Sequence, residues 1–336
     1  MAAIQLENVT KVYRTVRKDP GLLGALKSLV RPRYQTCTAM NGITLSIDPG
    51  EVVGYIGING AGKSTTIKVL TGILSPTSGT VRVLGRDPHR ERVANAREIS
   101  VVFGQRTQLW WDLAFRDSLE MIAGIYQIPP DQYRRRLDYF VEMLDLGALL
   151  ATPLRSMSLG QKMRAELMAA LLHQPSVVYL DEPTIGLDIV AKERIRAFIK
   201  EQNRVVGMTV LLTTHDLGDI EELCTRVVII DAGCIIYDGS PLAIKAAFGA
   251  QRVITFETQH CPRPIDPGPC AEIAALTEHR LVVRFDGNRT TAARVTAQIM
   301  EQVDILDFSI SEADLGSIIK EIYARTITRQ SLGAAV

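Results

Sequence analysis

A glycine-rich segment near residue 60 has the residue types and spacing of a phosphate-binding loop. Residues 57–64 read Gly-Ile-Asn-Gly-Ala-Gly-Lys-Ser, which fits the pattern G-x-x-x-x-G-K-[ST]. Glycines let backbone N–H groups turn toward phosphate oxygens, and a helix N-terminus adds partial positive charge. The pattern predicts that Lys63 contacts the β- and γ-phosphates of a nucleotide and that Ser64 binds Mg²⁺. The candidate phosphate-binding residues are Gly57, Asn59, Gly60, Ala61, Gly62, Lys63, Ser64 and Thr65.

Two adjacent carboxylates follow an apolar run farther along the chain. The run 177–180 reads Val-Val-Tyr-Leu and predicts a strand that is buried on both faces. It places Asp181 and Glu182 at the C-terminal end of the strand, where open α/β sheets bind ligands. We expect Asp181 to hold Mg²⁺, directly or through water, and Glu182 to orient and activate a water against the γ-phosphate. Together the two motifs indicate a P-loop nucleotide hydrolase.

The elements that must position these residues alternate between strands and helices. Predicted strands at 51–56, 177–180 and 209–213 are each followed by a predicted helix, and a further strand covers 227–230. Such alternation indicates parallel strands with helical crossovers. The segment 112–172 has helical periodicity instead, which predicts a helical insertion between the strands.

The pattern changes after residue 240. Strands are predicted at 252–257, 280–285 and 305–310, and helices at 291–302 and 314–324. This order indicates a small accessory α+β domain. We therefore divide the chain into a nucleotide-binding domain (1–244), an accessory domain (245–325) and a loose tail (326–336).

The composition fits a folded chain without a global charge signal. The 336 residues are 46% hydrophobic and 22% charged, and the formal net charge is +1, so we expect no nucleic-acid partner. No run approaches the roughly 18 apolar residues that a membrane span requires. The N-terminus lacks the basic start and apolar core of a signal peptide. The five scattered cysteines favour reduced thiols, and we expect a cytoplasmic protein.

Five further features occur in a fixed order around the first two motifs. Residues 157–161 read Met-Ser-Leu-Gly-Gln, and residues 183–188 read Pro-Thr-Ile-Gly-Leu-Asp directly after Glu182. Gln105 and His215 each follow a predicted strand, and Tyr13 lies near the N-terminus. In this order, the motifs resemble those of the ATP-binding subunits of ABC transporters, across roughly residues 4–240. They match the signature sequence, the D-loop, the Q-loop glutamine, the switch histidine and the aromatic residue that stacks on adenine.

The resemblance implies a fold, two cofactors and a role for each matching residue. The fold is an α/β P-loop ABC ATPase domain, with a mostly parallel core sheet, a helical subdomain at about 112–172 and a small C-terminal α+β accessory domain. ATP and Mg²⁺ are the implied ligands. The implied catalytic residues are Glu182, His215 and Gln105, the Mg²⁺ ligands are Ser64, Gln105 and Asp181, and Tyr13 stacks on adenine.

The resemblance also implies a site shared between two chains. Each phosphate loop faces the signature residues of the other chain, which here are Ser158, Leu159, Gly160 and Gln161, with Asp188 in the D-loop. The partners are then a second ATPase subunit, in a homodimer or a heterodimer, and ABC-2-type transmembrane permease subunits. Such a protein is peripheral on the cytoplasmic face of the cell membrane. Its cargo crosses the permease and is not readable in this chain.

The signature departs from the commoner form Leu-Ser-Gly-Gly-Gln at two positions. Met157 replaces the leading leucine and Leu159 replaces the first glycine. Ser158 and Gly160 keep the hydroxyl and the backbone N–H that the family directs at the γ-phosphate. We therefore expect the chemistry to be retained and the rate of hydrolysis to be altered.

Three functions fit these motifs. The segment 104–113 and the Ser-Leu-Gly-Gln signature resemble the ABC-2-type exporters, which favours a subunit that powers export. An ATPase subunit of an importer is the alternative, because importers also carry C-terminal accessory domains. A soluble ABC-type ATPase acting on ribosomes or DNA fits poorly, since the chain has one cassette and no sustained heptads.

Two segments keep two interpretations each. The basic stretch 14–36 contains a leucine-bearing segment at 22–30, which predicts a short helix that packs on its own domain or touches the membrane or a membrane partner. The adjacent Trp110 and Trp111 either fill the core of the helical subdomain or form a docking surface for the permease.

Overall fold

The computed structural model describes residues 1–17, 33–104, 107–248, 251–261, 264–287, 289–312 and 318–319. The chain divides into two compact units, Met1–Asp238 and Gly239–Val336. The boundary at residue 244 and the loose tail after residue 325 stay predictions. Gln105 and the predicted helix at 22–30 lie outside the described residues, and so does most of the predicted helix at 314–324.

A six-stranded sheet is the centre of the first unit. Its strands have the order β5-β6-β7-β3-β8-β9, and the first five are parallel to one another. Every residue of the central strands β3 and β7 is buried, and Tyr55 and Leu211 belong to one apolar core with Ile67 of the helix that follows β3. The strands are β3 (Val52–Gly57), β5 (Ile99–Phe103), β6 (Val177–Asp181), β7 (Thr209–Thr213), β8 (Arg226–Asp231) and β9 (Cys234–Gly239).

A second, antiparallel sheet has the order β2-β1-β4. Its strands are β1 (Ile4–Arg17), β2 (Arg33–Ile47) and β4 (Ser78–Val83). The pairing of β1 with β2 runs from Ile4 opposite Ile47 to Arg17 opposite Arg33. The two ends of the basic stretch 14–36 are therefore the arms of a long ribbon.

The helices of the first unit follow their strands or form the stretch 112–172. They are α1 (Lys63–Leu70), α2 (Arg92–Glu98), α3 (Phe115–Ile125), α4 (Pro130–Leu144), α5 (Leu159–Leu171), α6 (Ile189–Val206) and α7 (Leu217–Leu223). In α3 the residues Phe115, Leu119 and Ile122 are buried at helical spacing, so one apolar stripe packs inward. Leu154 begins one of two short 3₁₀ turns between α4 and α5.

The second unit has a four-stranded antiparallel sheet in the order β11-β12-β10-β13. The elements are α8 (Pro241–Phe248), β10 (Gln251–Thr258), β11 (Ala271–Leu276), β12 (Arg280–Asp286), α9 (Ala292–Met300) and β13 (Ile305–Glu312). Alternate residues of β12 are buried, and Val295 and Ile299 of α9 belong to the same apolar core. One face of this sheet therefore packs on the helix.

Five elements are absent from the sequence prediction. They are β4, β9, β11, α2 and α8. Four of the six residues of β4 and three of the six residues of β11 are exposed, and neither sequence alternates regularly between polar and apolar residues. β9 follows β8 after Ala232 and Gly233, whose positive φ values of 46° and 78° form a tight turn. Within the described ranges, no helix has the length and apolar character needed to cross a membrane.

Candidate functional site

The phosphate loop connects the end of β3 to the start of α1. At Gly57 a Cβ would lie 2.8 Å from Cγ1 of Ile230 and 2.9 Å from Cβ of Ala61, so a side chain would not fit. Gly62 has φ of +112°, and a Cβ there would lie 2.2 Å from the carbonyl oxygen of Ala39. Both positions therefore require glycine, which gives the backbone the conformation that a phosphate-binding loop needs.

Lys63 is the first residue of α1 and is buried, with 7% of its surface exposed. Its Nζ donates to the carbonyl oxygen of Gly57 and, at 3.3 Å, to that of Ile58. Burial lowers the pKa of Lys63, and the nearby charges of Glu182 and Asp181 oppose this shift. The ammonium group is thus held against the carbonyl oxygens of its own loop, and its contact with the β- and γ-phosphates stays a prediction.

Asp181 is the last residue of β6, and its carboxylate contacts both Ser64, after the phosphate loop, and Thr213 of the neighbouring strand β7. Its Oδ2 lies 3.4 Å from Oγ of Ser64, and its Oδ1 accepts a hydrogen bond of 2.5 Å from Oγ1 of Thr213. A hydroxyl and a carboxylate at one point suit Mg²⁺, which takes oxygen ligands and keeps several waters or phosphate oxygens. Neither here nor at any other place in the described part of the chain do three His, Cys, Asp or Glu residues form a metal-binding group, so the remaining ligands of an ion at Asp181 would come from Ser64, water and phosphate. The donors present therefore fit the implied Mg²⁺.

Glu182 and His215 meet at the ends of adjacent strands. Oε1 of Glu182 lies 3.1 Å from Nε2 of His215, and the backbone N–H of Glu182 donates to the carbonyl oxygen of Thr213 at 2.9 Å. Glu182 has φ of 56°, a left-handed conformation that is uncommon outside glycine and asparagine. This turn directs its carboxylate away from the strand and toward the cleft.

A cleft of about 350 Å³ opens beside these groups. It is lined by residues of the phosphate loop helix, of β5 and of the segment after β6: Ser64, Lys68, Ile73, Phe103, Gly104, Asp181, Glu182 and Ile185. The cleft combines a hydroxyl, two carboxylates and a lysine with apolar walls. Such an arrangement can hold a phosphate and a water in line for phosphoryl transfer.

The Q-loop glutamine, Gln105, lies outside the described residues, but the backbone before it is fixed. The N–H of Gly104 donates to the carbonyl oxygen of Asp181 at 2.9 Å, and a Cβ at Gly104 would lie 2.8 Å from the carbonyl oxygen of Glu182. Gly104 therefore permits a close approach between β5 and the catalytic strand β6.

The segment after Gln105 is attached to α5 by Glu166, which sequence reasoning missed. This carboxylate is 6% exposed and accepts from Oγ1 of Thr107 and from the N–H of Gln108. Burial raises the pKa of Glu166. Its position as a single acid between Ala165 and Leu167, in an apolar helix, is the signal that could have identified it.

Tyr13 lies in β1, next to the phosphate loop. Its hydroxyl oxygen is 3.4 Å from Oγ1 of Thr65, and Nζ of Lys11 is 5.6 Å from the centre of its ring. The structure thus brings Tyr13 and the predicted phosphate-binding residue Thr65 together. Stacking of Tyr13 on adenine stays a prediction.

The signature residues form the start of α5. Ser158 caps the helix: its Oγ accepts from the N–H of Gln161 at 3.3 Å, and the side chain of Gln161 accepts from the N–H of Ser158 at 2.8 Å. Leu159 is 51% exposed. A Cβ added at Gly160 would lie 3.3 Å from Cβ of Ala191. The loop is therefore folded within its own chain and presents Leu159 to solvent.

The D-loop lies against the signature loop. Asp188 caps α6, because its Oδ1 accepts from the N–H of Ala191 at 2.8 Å. A Cβ at Gly186 would lie 3.2 Å from Cδ2 of Leu159. The structure therefore collects the predicted residues in two places, a cleft around Asp181 and a surface formed by the signature loop and the D-loop.

The comparisons with known proteins agree on one family. Residues 40–185 match the family described as ABC transporter. The methionine import ATP-binding protein MetN of Geobacillus kaustophilus is 30% identical to this chain, and the match covers 94% of this chain and 89% of MetN. The daunorubicin resistance ATP-binding protein DrrA3 of Streptomyces coeruleorubidus is 36% identical, with 81% of this chain and 86% of DrrA3 covered.

A solved structure extends the agreement to three dimensions. The ATP-binding subunit of an ABC transporter superposes on this chain with a TM-score of 0.62. The two sequences are 26% identical, and the superposition covers 74% of this chain and 93% of the other. The expected P-loop fold, with a parallel-rich core sheet, is confirmed.

Proposed function

This chain belongs to the ATP-binding subunits of ABC transporters, and we propose that it hydrolyses ATP to power export through a separate ABC-2-type permease. The observation that carries the proposal is the meeting of charged groups where β3, β6 and β7 end. Glu182 lies 3.1 Å from His215, and the charges of Glu182 and Asp181 act on the ammonium of Lys63. The same two carboxylates and Ser64 line a cleft of about 350 Å³.

The roles of these groups follow from their chemistry. Lys63 leaves the carbonyls of its own loop and binds the β- and γ-phosphates, while the loop N–H groups bind the remaining oxygens. Glu182 accepts the proton of the attacking water and orients it toward the γ-phosphate. His215, 3.1 Å from Glu182, holds that carboxylate in place and contacts the γ-phosphate.

Ser64, Asp181 and Gln105 would hold Mg²⁺ beside the nucleotide. Mg²⁺ held there would supply positive charge that offsets the charge developing on the phosphate oxygens. Thr213 adds a hydrogen bond that orients Asp181. Tyr13, next to Thr65, is positioned to stack on the adenine ring.

The site is completed by a second chain, in a homodimer or a heterodimer. Ser158 and Gly160 of one chain face the γ-phosphate bound by the other, with Asp188 of the D-loop beside them. An exposed apolar surface supports this arrangement, since Leu159, Ile185, Ile189 and Val190 are between 47% and 75% exposed around the contact of the signature loop with the D-loop. Exposed apolar patches of this kind mark interaction sites.

Export is the direction that the motifs favour. The segment 104–113 and the Ser-Leu-Gly-Gln signature resemble ABC-2-type exporters, and DrrA3, a daunorubicin resistance protein, has the higher identity of the two relatives. Import is the second candidate, because MetN covers 94% of this chain. Identification of the co-purifying membrane protein and its cargo decides between the two directions.

We also propose that the surface around Trp111 docks the permease and places the chain on the cytoplasmic face of the membrane. Trp111 is 51% exposed, with Nζ of Lys162 4.4 Å from its ring centre. Met121 and Ile125 of α3 are exposed as well. A half-exposed tryptophan on the helical part of the unit can act as an anchor in a pocket of the partner.

The test compares Trp111→Ala with Val93→Ala, which removes an exposed apolar side chain of α2. ATP binding by the isolated chain is measured first, and co-purification with the membrane permease second. We expect Trp111→Ala to bind ATP normally and to lose most of the permease, since an aromatic anchor contributes about 2 kcal/mol or more. Normal assembly of the Trp111 variant would contradict the docking surface, and unfolding would assign Trp111 to the core.

A further inference from the structure

A buried carboxylate connects the two loops that carry Glu182 and His215. Asp219 of α7 is 0% exposed. Its Oδ2 accepts hydrogen bonds from Oγ1 of Thr184, at 2.5 Å, and from Oγ1 of Thr214, at 2.8 Å. Two hydroxyl donors from different loops thus share one oxygen atom.

The two threonines lie next to the catalytic pair in sequence. Thr184 is two residues after Glu182, and Thr214 is the residue before His215. Each threonine is 2% exposed, so water cannot replace a lost partner for its hydroxyl. The shared oxygen of Asp219 therefore fixes the spacing between the two loops.

Arg196 of α6 balances the charge of this buried acid. Its Nε donates to Oδ1 of Asp219 at 2.7 Å, and its two terminal nitrogens contact Asp216 at 3.2 Å and Glu222 at 2.8 Å. Lys192 adds a contact of 2.5 Å with Asp216. A buried carboxylate needs such a paired cation, and here the cation also ties α6, which begins at the D-loop, to the same cluster.

We propose that Asp219 is a positioning residue for ATP hydrolysis, which holds Glu182 opposite His215 through Thr184 and Thr214. The inference rests on the roles proposed above for Glu182 and His215. The left-handed backbone at Glu182 is strained and persists only where the surroundings fix it. Removal of either threonine hydroxyl relaxes one loop and lengthens the contact of 3.1 Å between Glu182 and His215.

The test uses Thr184→Val and Thr214→Val, which keep the shape of the side chain and remove the hydroxyl. We expect each variant to lower kcat about 5- to 10-fold, as expected for one lost buried hydrogen bond, and to leave the Kd for ATP unchanged. The double variant should lose less than the product of the two single losses, because both hydroxyls act through one oxygen.

Thr225→Val is the matched control. The hydroxyl of Thr225 donates to the carbonyl oxygen of Val52 at the start of β3, which is the end of the strand opposite the phosphate loop. This variant should keep the kcat of the unsubstituted protein. Thr184→Ser and Thr214→Ser retain a donor and should recover most of the activity that the valine variants lose.

Three results would overturn the inference. The first is an unchanged kcat in both valine variants, and the second is a loss of ATP affinity equal to the loss of kcat. The third is a serine variant that folds but is as slow as its valine counterpart. Glu182→Gln is measured in parallel to distinguish two failures. If Glu182→Gln still hydrolyses ATP, the proposed site itself is contradicted. If Glu182→Gln is inactive but both valine variants are fully active, only the role of Asp219 is contradicted.

Discussion

The chain has two candidate nucleotide-contacting loops, and each leads into the N-terminus of a helix. The loops differ in whether a side chain accepts a hydrogen bond from the backbone N–H groups of the first helical turn. The phosphate loop enters α1 through Gly62, which offers no side-chain cap to the first turn. The signature loop enters α5 through Ser158, and the Ser158–Gln161 capping box satisfies two N–H groups within the chain. The first turn of α1 therefore has no side-chain acceptor of its own for its N–H groups, whereas the first turn of α5 already uses the N–H of Gln161 within the chain.

The two loops also differ in how far their side chains are buried. Lys63 is 7% exposed and is surrounded by carbonyls and carboxylates of its own chain, but Leu159 is 51% exposed. This contrast indicates that the cleft around Lys63 is preassembled by folding. The exposed Leu159 of the signature loop fits the proposed site that is divided between two chains.

Replacement of Glu182 tests the preassembled half and has the largest expected effect. Glu182→Gln removes the base that accepts the proton of the attacking water, so we expect kcat to fall by about 10² to 10⁴. The affinity for ATP should stay near normal, because Lys63 and the loop N–H groups are untouched. Glu193→Gln, at an exposed position of α6, is the control. Near-normal turnover by Glu182→Gln in a steady-state ATPase assay would contradict the proposed role.

Replacement of Ser158 tests the signature loop, which is proposed to contact the nucleotide bound by a second chain. Ser158→Ala should lower hydrolysis about 10-fold, because one hydrogen bond to the γ-phosphate is lost. Loss of the cap should also lower the free energy of unfolding by about 1 kcal/mol. ATP titration of the isolated chain should give an unchanged Kd, and Ser156→Ala, at an exposed serine of the preceding turn, should be neutral.

A mixture of the two variant chains decides where Ser158 acts. In a dimer of one Glu182→Gln chain with one Ser158→Ala chain, one of the two shared sites keeps both native residues. We therefore expect the mixture to regain activity that neither variant has alone. Activity that stays at the mean of the two separate variants would show that Ser158 serves its own chain, and would remove the contrast between the two loops.

Leu159→Gly restores the commoner signature and has the smallest expected effect. Leu159 is half exposed, so its removal costs little core packing, and glycine at this helix position destabilises by about 1 kcal/mol or less. We expect the chain to fold and its ATPase rate to change by less than about threefold, which corresponds to about 0.7 kcal/mol. Thermal unfolding and turnover are the measurements, and a variant that fails to fold would place Leu159 in the core.

The sequence was sufficient for the local part of this protein. The phosphate loop, the strand before Asp181 and the helix after Asp216 could be predicted because glycines, continuous apolar runs and capping residues act over a few positions. Strands β4 and β11 were missed because no residue of β11 and only two residues of β4 are buried, so their sequences lack a regular alternation of polar and apolar residues. Gln105 lies outside the described residues, and its role stays a prediction.

The residues that support the site were decided by the tertiary structure. Thr213, Glu166 and Asp219 belong to no motif, and each acquires its role from a partner at least five positions away, in the case of Glu166 as many as 59. Such contacts depend on which strands are neighbours and on which side chains become buried together. The order of the motifs was sufficient to identify the family and the candidate reacting groups. The hydrogen bonds that hold those groups in place form only when β6, β7, α6 and α7 pack against one another. A buried donor or acceptor must find its partner within the fold, and the fold decides which partner is near.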